Sequence, residues 1–358
     1  STTSTAEYNL AVGTTALDAV TTGDKNVAIG YNALTANTTG YENTAVGYNS
    51  LSSVTTSLLN TAIGFMSMEA HETGSGRNTA LGGYSLSSST NGLYNVAIGY
   101  DVLKSNTTGD RNIAMGNGAL DAPDTENDNL AIGFDALGGA IAGGEFNVAI
   151  GNYSLDATTS GDNNTATGYD ALTGTTTGAD NTALGSDAGD VITTGSQNVI
   201  IGSDSDPSAN SATNQIVIGY GATGHGNNRV VIGNGSATNW EPHDDNEVDL
   251  GHSSYRFDDV YATNGTVQTS DVRLKKQIKE SDLGLDFINE LNPVSYHWKK
   301  NDNGRHYGLI AQELLAVFQR HGIQSVDEIA TVDWDEESDR YGLHYAELIS
   351  PMIKALQE

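Results

Sequence analysis

Apolar positions in the first two thirds of the chain are short, isolated and strictly periodic. The unit Asn-x-Ala-x-Gly appears as Asn9-Leu-Ala-Val-Gly13, Asn26-Val-Ala-Ile-Gly30, Asn43-Thr-Ala-Val-Gly47 and Asn60-Thr-Ala-Ile-Gly64, and recurs from Asn78, Asn95, Asn112, Asn129, Asn147, Asn164 and Asn181. The closing glycines fall at 13, 30, 47, 64, 82, 99, 116, 133, 151, 168, 185 and 202, in steps of 17 residues or, twice, 18. Looser copies end at Gly219 and Gly233. A second ladder follows each Gly: Leu17, Leu34, Leu51, Met68, Leu86, Leu103, Leu120, Leu137, Leu155 and Leu172. Two ladders in phase over ten turns mark a solenoid built from one structural unit per repeat.

A unit this short cannot hold a helix pair, and its Val-Ala-Ile or Thr-Ala-Leu centre alternates with the period of a strand. Each repeat therefore predicts one β-solenoid coil with two short strands and two turns. Glycine ends a strand where the chain must bend without a Cβ. The Thr21-Thr-Gly23, Asn37-Thr-Thr-Gly40 and Asn106-Thr-Thr-Gly109 stretches supply the second turn. Stacked asparagines form amide ladders between coils. A single coil of this width looks too thin to bury much, so three chains packed about an axis are expected. The fold class is mainly β: a homotrimeric β-solenoid or β-roll shaft with about 17-residue coils, then a smaller α+β domain.

Composition narrows the function classes. The chain has 358 residues, a net charge of -29, 42 Gly and no Cys. The absence of cysteine excludes disulfides, thiolate metal sites and a cysteine nucleophile. The acidic excess argues against a sequence-independent grip on nucleic acid or anionic lipid. No apolar run has the length of a membrane helix, so no membrane insertion is expected. Ser1 to Tyr8 show no signal-peptide pattern. The repeat's acids (Asp18, Asp24, Glu42, Asp101, Asp110) are scattered over turns, which disfavours a glycosidase-like carboxylate pair. A nine-residue Gly/Asp calcium repeat is missing, and the threonines cluster in turns rather than on a flat ice-binding strand. No metal or cofactor is expected.

After Gly235 the texture changes. Residues 1–240 carry 5 Lys/Arg and 22 Asp/Glu, whereas 241–358 carry 11 and 23. The expected organisation is a shaft over 1–235, a linker and β junction with an Asn264-Gly265 hairpin turn over 236–269, and a domain over 270–358. In that domain Leu283, Phe287, Ile288 and Leu291, and then Leu309 to Phe318, fall at helix spacing. Ile349, Met352, Ile353 and Leu356 form one stripe, as in a helix that associates with copies of itself.

Ser270-Asp-Val-Arg-Leu-Lys275 reads locally as a charged helix start, with Ser270 as N-cap and Asp271 in the first turn. It also offers a Ser-Lys dyad. A serine hydroxyl becomes nucleophilic when a base takes its proton, and a lysine can serve if burial or a neighbouring cation such as Lys276 lowers its pKa.

The Asn-x-Ala-x-Gly coils resemble the β-roll heads of trimeric autotransporter adhesins and related phage-fibre repeats. The run Asp249-Leu-Gly, Tyr255-Arg-Phe, Val260-Tyr-Ala-Thr-Asn-Gly265 and Ser270 to Lys275 resembles the junction into the endosialidase-type intramolecular chaperone. So do Leu291-Asn-Pro-Val-Ser-Tyr-His-Trp298, His306-Tyr-Gly-Leu-Ile-Ala-Gln-Glu313 and Tyr345-Ala-Glu-Leu-Ile-Ser-Pro351. That resemblance implies a domain that trimerises, templates fibre assembly and cuts the Thr269–Ser270 bond, with Ser270 as nucleophile and Lys275 as general base. Asp271, Arg273, His306, Gln312 and Glu313 match motif positions and are assigned positioning roles. The implied partners are two further copies of the chain and a host cell-surface receptor, glycan or protein. The implied place is a virion tail fibre, or alternatively a bacterial cell surface with an uncleaved trimerisation domain.

Overall fold

The computed structural model describes residues 5–72, 76–122, 125–243, 250–251, 255, 257, 260–263, 270–299, 304–336 and 339–358. They separate into two compact units, Ser1–Trp240 and Glu241–Glu358. The Asn264-Gly265 turn and Thr269 lie outside the described residues.

In the first unit, strands β1 (Leu10–Val12) to β14 (Arg229–Ile232) form one fourteen-stranded parallel sheet in sequence order. Each strand pairs with its successor one coil on, Ala28 beside Ala45 and Ala45 beside Ala62. The coil holds one regular strand, not the two expected. The rest is turn, because residues such as Asp101, Leu103 and Arg111 have φ of 57°, 51° and 59°. Left-handed backbone breaks a strand and disfavours side chains branched at Cβ. That accounts for a second ladder of Leu and Met with no Val or Ile.

The coil also buries more than its width suggested. Ala28, Ala45, Ala62 and their successors share one continuous core with Leu34, Leu51, Met68, Leu86 and the rest of that ladder, at essentially no exposure. Alanine supplies the inward side chain of the strand, and the larger flanking residues point out. The closing glycines do more than bend the chain. Gly82 has φ +140°, and a Cβ on it would sit 2.0 Å from the Gly99 carbonyl oxygen of the next coil.

The second unit contains α1 (Leu285–Glu290), the antiparallel pair β15 (Val294–Tyr296) and β16 (His306–Gly308), α2 (Ala311–Arg320), the pair β17 (Val332–Asp335) and β18 (Arg340–Leu343), and α3 (Ile349–Gln357). Phe287, Leu314, Val317, Phe318, Val332 and Leu348 make its core, with Leu283, Ile288 and Leu291 packed partly against it. Glu358 accepts a hydrogen bond from the Leu285 backbone N–H at 2.7 Å, so the last residue caps the start of α1. On α3, Ile349, Met352, Ile353 and Leu356 are exposed.

Candidate active site at Ser270 and Lys275

A single 3-10 turn, Val272–Leu274, builds this site. Its N-cap is Asp271, not Ser270 as the charge pattern suggested. The Asp271 carboxylate accepts the Arg273 backbone N–H at 2.9 Å and is gripped by the Arg273 guanidinium. That grip lowers the Asp271 pKa and raises that of Arg273. Ser270 is thereby freed from capping. The turn closes when the Lys275 N–H donates to the Val272 carbonyl. One 3-10 turn advances about 2 Å per residue, so the lysine stem can reach back over it. Lys275 Nζ donates to Ser270 Oγ at 2.8 Å. Both side chains are exposed.

The other expected residues sit elsewhere. His306, on β16, stacks on Tyr296 with ring centroids 5.5 Å apart and meets Trp298 edge-on. Glu313, in the first turn of α2, accepts from the Asn292 side-chain amide at 3.0 Å, and Gln312 beside it is exposed. These contacts join the Leu291-to-Trp298 motif to the His306-to-Glu313 motif. Tyr345 adds the third: its hydroxyl accepts the Leu309 N–H at 3.0 Å, and a Cβ on Gly308 would fall 2.5 Å from it. The sequence offered no spacing signal for that contact, since 36 residues separate its ends.

Among the described residues no group of three or more His, Cys, Asp or Glu is placed to hold a metal ion. No helix is long and apolar enough to cross a membrane among them.

This build defines a class: a parallel β-solenoid followed by a domain that opens on a Ser-Lys turn. Residues 270–323 match the family described as the chaperone of endosialidase, so the match begins at Ser270 and the second unit carries a domain of that kind. The chain is also similar to the side tail fiber protein pb1 of Escherichia phage T5, 32% identical over 108 residues. That similarity covers 27% of this chain and only 8% of the phage protein's own length.

Proposed function

We propose that the chain is a segment of a trimeric phage tail fibre, carried on the virion and directed at a host cell surface. Its C-terminal domain templates trimer assembly and then cuts the Thr269–Ser270 bond. The observation that carries this reading is the Lys275–Ser270 hydrogen bond at the first residue of the matched family segment. Because Ser270 lies immediately after the scissile bond, its Oγ attacks the Thr269 carbonyl carbon. The Lys275 amine takes the hydroxyl proton. The C–N bond breaks, and the proton passes to the departing Ser270 nitrogen. Water then hydrolyses the resulting ester, leaving a Thr269 carboxylate and a new Ser270 N-terminus with its hydroxyl restored. The dyad is exposed in a single chain, so neighbouring copies of a trimer can pack over it.

A templating domain has a physical purpose here. A one-residue slip turns a strand's side chains to the wrong face, and non-local β assembly is slow. The exposed Ile349, Met352, Ile353 and Leu356 stripe supports association through α3. Cleavage afterwards leaves a fibre that does not readily retrace its path, which is kinetic stability.

Intact-mass measurement of the freshly purified, denatured chain beside Ser270→Ala and Lys275→Met tests the reading. Two fragments meeting at 269/270 in the parent and a single chain in each variant are expected. One uncut chain in all three removes autocleavage from the proposal.

A further inference from the structure

Strands usually turn their larger apolar side chains inward, and this shaft does the reverse. From the strand at Val27–Ile29 to that at Thr182–Leu184 the middle Ala is buried while the residues on either side face out, and in the next two strands Ile200 and Val217 take the inward place. Ile29, Ile63, Leu81, Met115, Ile150 and Leu184 form part of this outer row, Met115 being 42% and Leu184 50% exposed. The face also lacks charge. From β1 to the strand Gln215–Ile218 the sheet contains no Asp, Glu, Lys or Arg, in a chain with 45 acidic and 16 basic residues. The acids of the shaft, such as Asp101, Asp135 and Asp170, sit on its turns.

We propose that this outer strand face is the surface along which copies of the chain pack, a proposal that rests on the trimer reading above. Three observations select another copy as the occupant. Chains of net charge -29 repel one another, and this is the face on which they can approach without opposing carboxylates. The row repeats at each coil, and a second copy has the same coil-to-coil rise, so contacts recur in register along the shaft. Half-exposed Val, Ile, Leu and Met over thirteen coils also leave apolar area on the order of 1,000 Å², against roughly 800 Å² per partner in a stable interface.

Because the chain has no cysteine, single introduced thiols report this directly. Met115→Cys and, one coil on, Ile132→Cys are placed separately in the full chain, with Ser160→Cys on an exposed turn as control. Mild oxidation or a short bismaleimide is applied, followed by a denaturing gel beside sedimentation of the untreated protein. The expected result is three copies in solution, with covalent dimers from Met115→Cys and Ile132→Cys but not from Ser160→Cys. With three thiols around an axis, two pair and one is left. Three copies with no cross-link at either strand position overturn the assigned face while leaving the trimer reading intact. A strand variant that fails to assemble while the control assembles locates the contact by another route and supports the proposal. A chain that sediments as a single copy overturns both readings.

Discussion

Asn164 donates its backbone N–H to the side-chain oxygen of Asn147, 17 residues earlier, at 2.9 Å. The Asn147 amide nitrogen donates in turn to the Gly161 carbonyl at 2.9 Å, and the Asn147 N–H is received by Asn129. Each asparagine side chain therefore satisfies two backbone groups of the following coil, while its own backbone N–H is held by the asparagine of the preceding one, in an interior closed to water. Asn147→Ala leaves the Asn164 N–H and the Gly161 carbonyl without these partners. At about 1–3 kcal/mol for each buried group, a loss of about 3 kcal/mol is expected by chemical denaturation. Asn147→Ala with Asn164→Ala should cost less than the sum of the singles, since they share a hydrogen bond.

Glycine is required by its neighbour as well as by its own φ. Gly168 has φ +144°, and a Cβ on it would fall 2.1 Å from the Gly185 carbonyl oxygen. Gly168→Ala should destabilise the shaft by about 3 kcal/mol or more, among the larger effects of single substitutions. Gly221, at φ +57° with open space about it, is the comparison. Asn32 and Asn49 take a left-handed φ at the corresponding coil position, so Gly221→Asn should leave the melting temperature nearly unchanged.

His71 is buried in the shaft, with Nε2 2.9 Å from Ser57 Oγ. Burial lowers its pKa from 6.5 to about 4. Between those values the unfolded chain binds the proton and the folded one does not. Stability is therefore full above pH 6.5 and falls as pH drops toward 4. At about 1.4 kcal/mol per pH unit, the loss attributable to His71 is at most about 3 kcal/mol. Val54 stands at the equivalent position one coil earlier, so His71→Val should remove this part of the acid sensitivity. Denaturation midpoints from pH 7 to 4 measure it.

Asp206 acts in the opposite sense. Burial, and then the neighbouring Asp190 carboxylate, raise its pKa to about 6. In this window the folded chain binds the proton more tightly than the unfolded one, so stability is lost as pH rises from about 4 through 6. Asp206→Asn should raise stability at pH 7, by on the order of 1 kcal/mol after allowance for its partial exposure. The gain should vanish by pH 4, and a gain undiminished there would contradict the assignment.

The repeat, the parallel coils, the glycine bends and the position of the Ser270–Lys275 segment could all be read from the chain, because each depends on local spacing. A 17-residue period places Ala over Ala and Leu over Leu whatever the coil's cross-section. Other features needed three dimensions. The sequence pattern allowed two strands per coil, but left-handed residues such as Asp101 and Leu103 permit one, since strand and left-handed backbone are mutually exclusive. Alternation distinguished two faces of each strand without saying which was inside. The narrow coil decided it, by admitting Ala from the strand wherever the Leu ladder fills the interior; past Leu172, where Gly189 takes the ladder's place, Ile200 turns inward instead. Likewise, the charge run placed Ser270 near Lys275, but the Asp271–Arg273 pairing gave the cap to Asp271 and left the serine hydroxyl to the lysine. Contacts such as Leu309 to Tyr345 and Leu285 to Glu358 leave no periodic trace, because they form between segments that only the folded domain brings together.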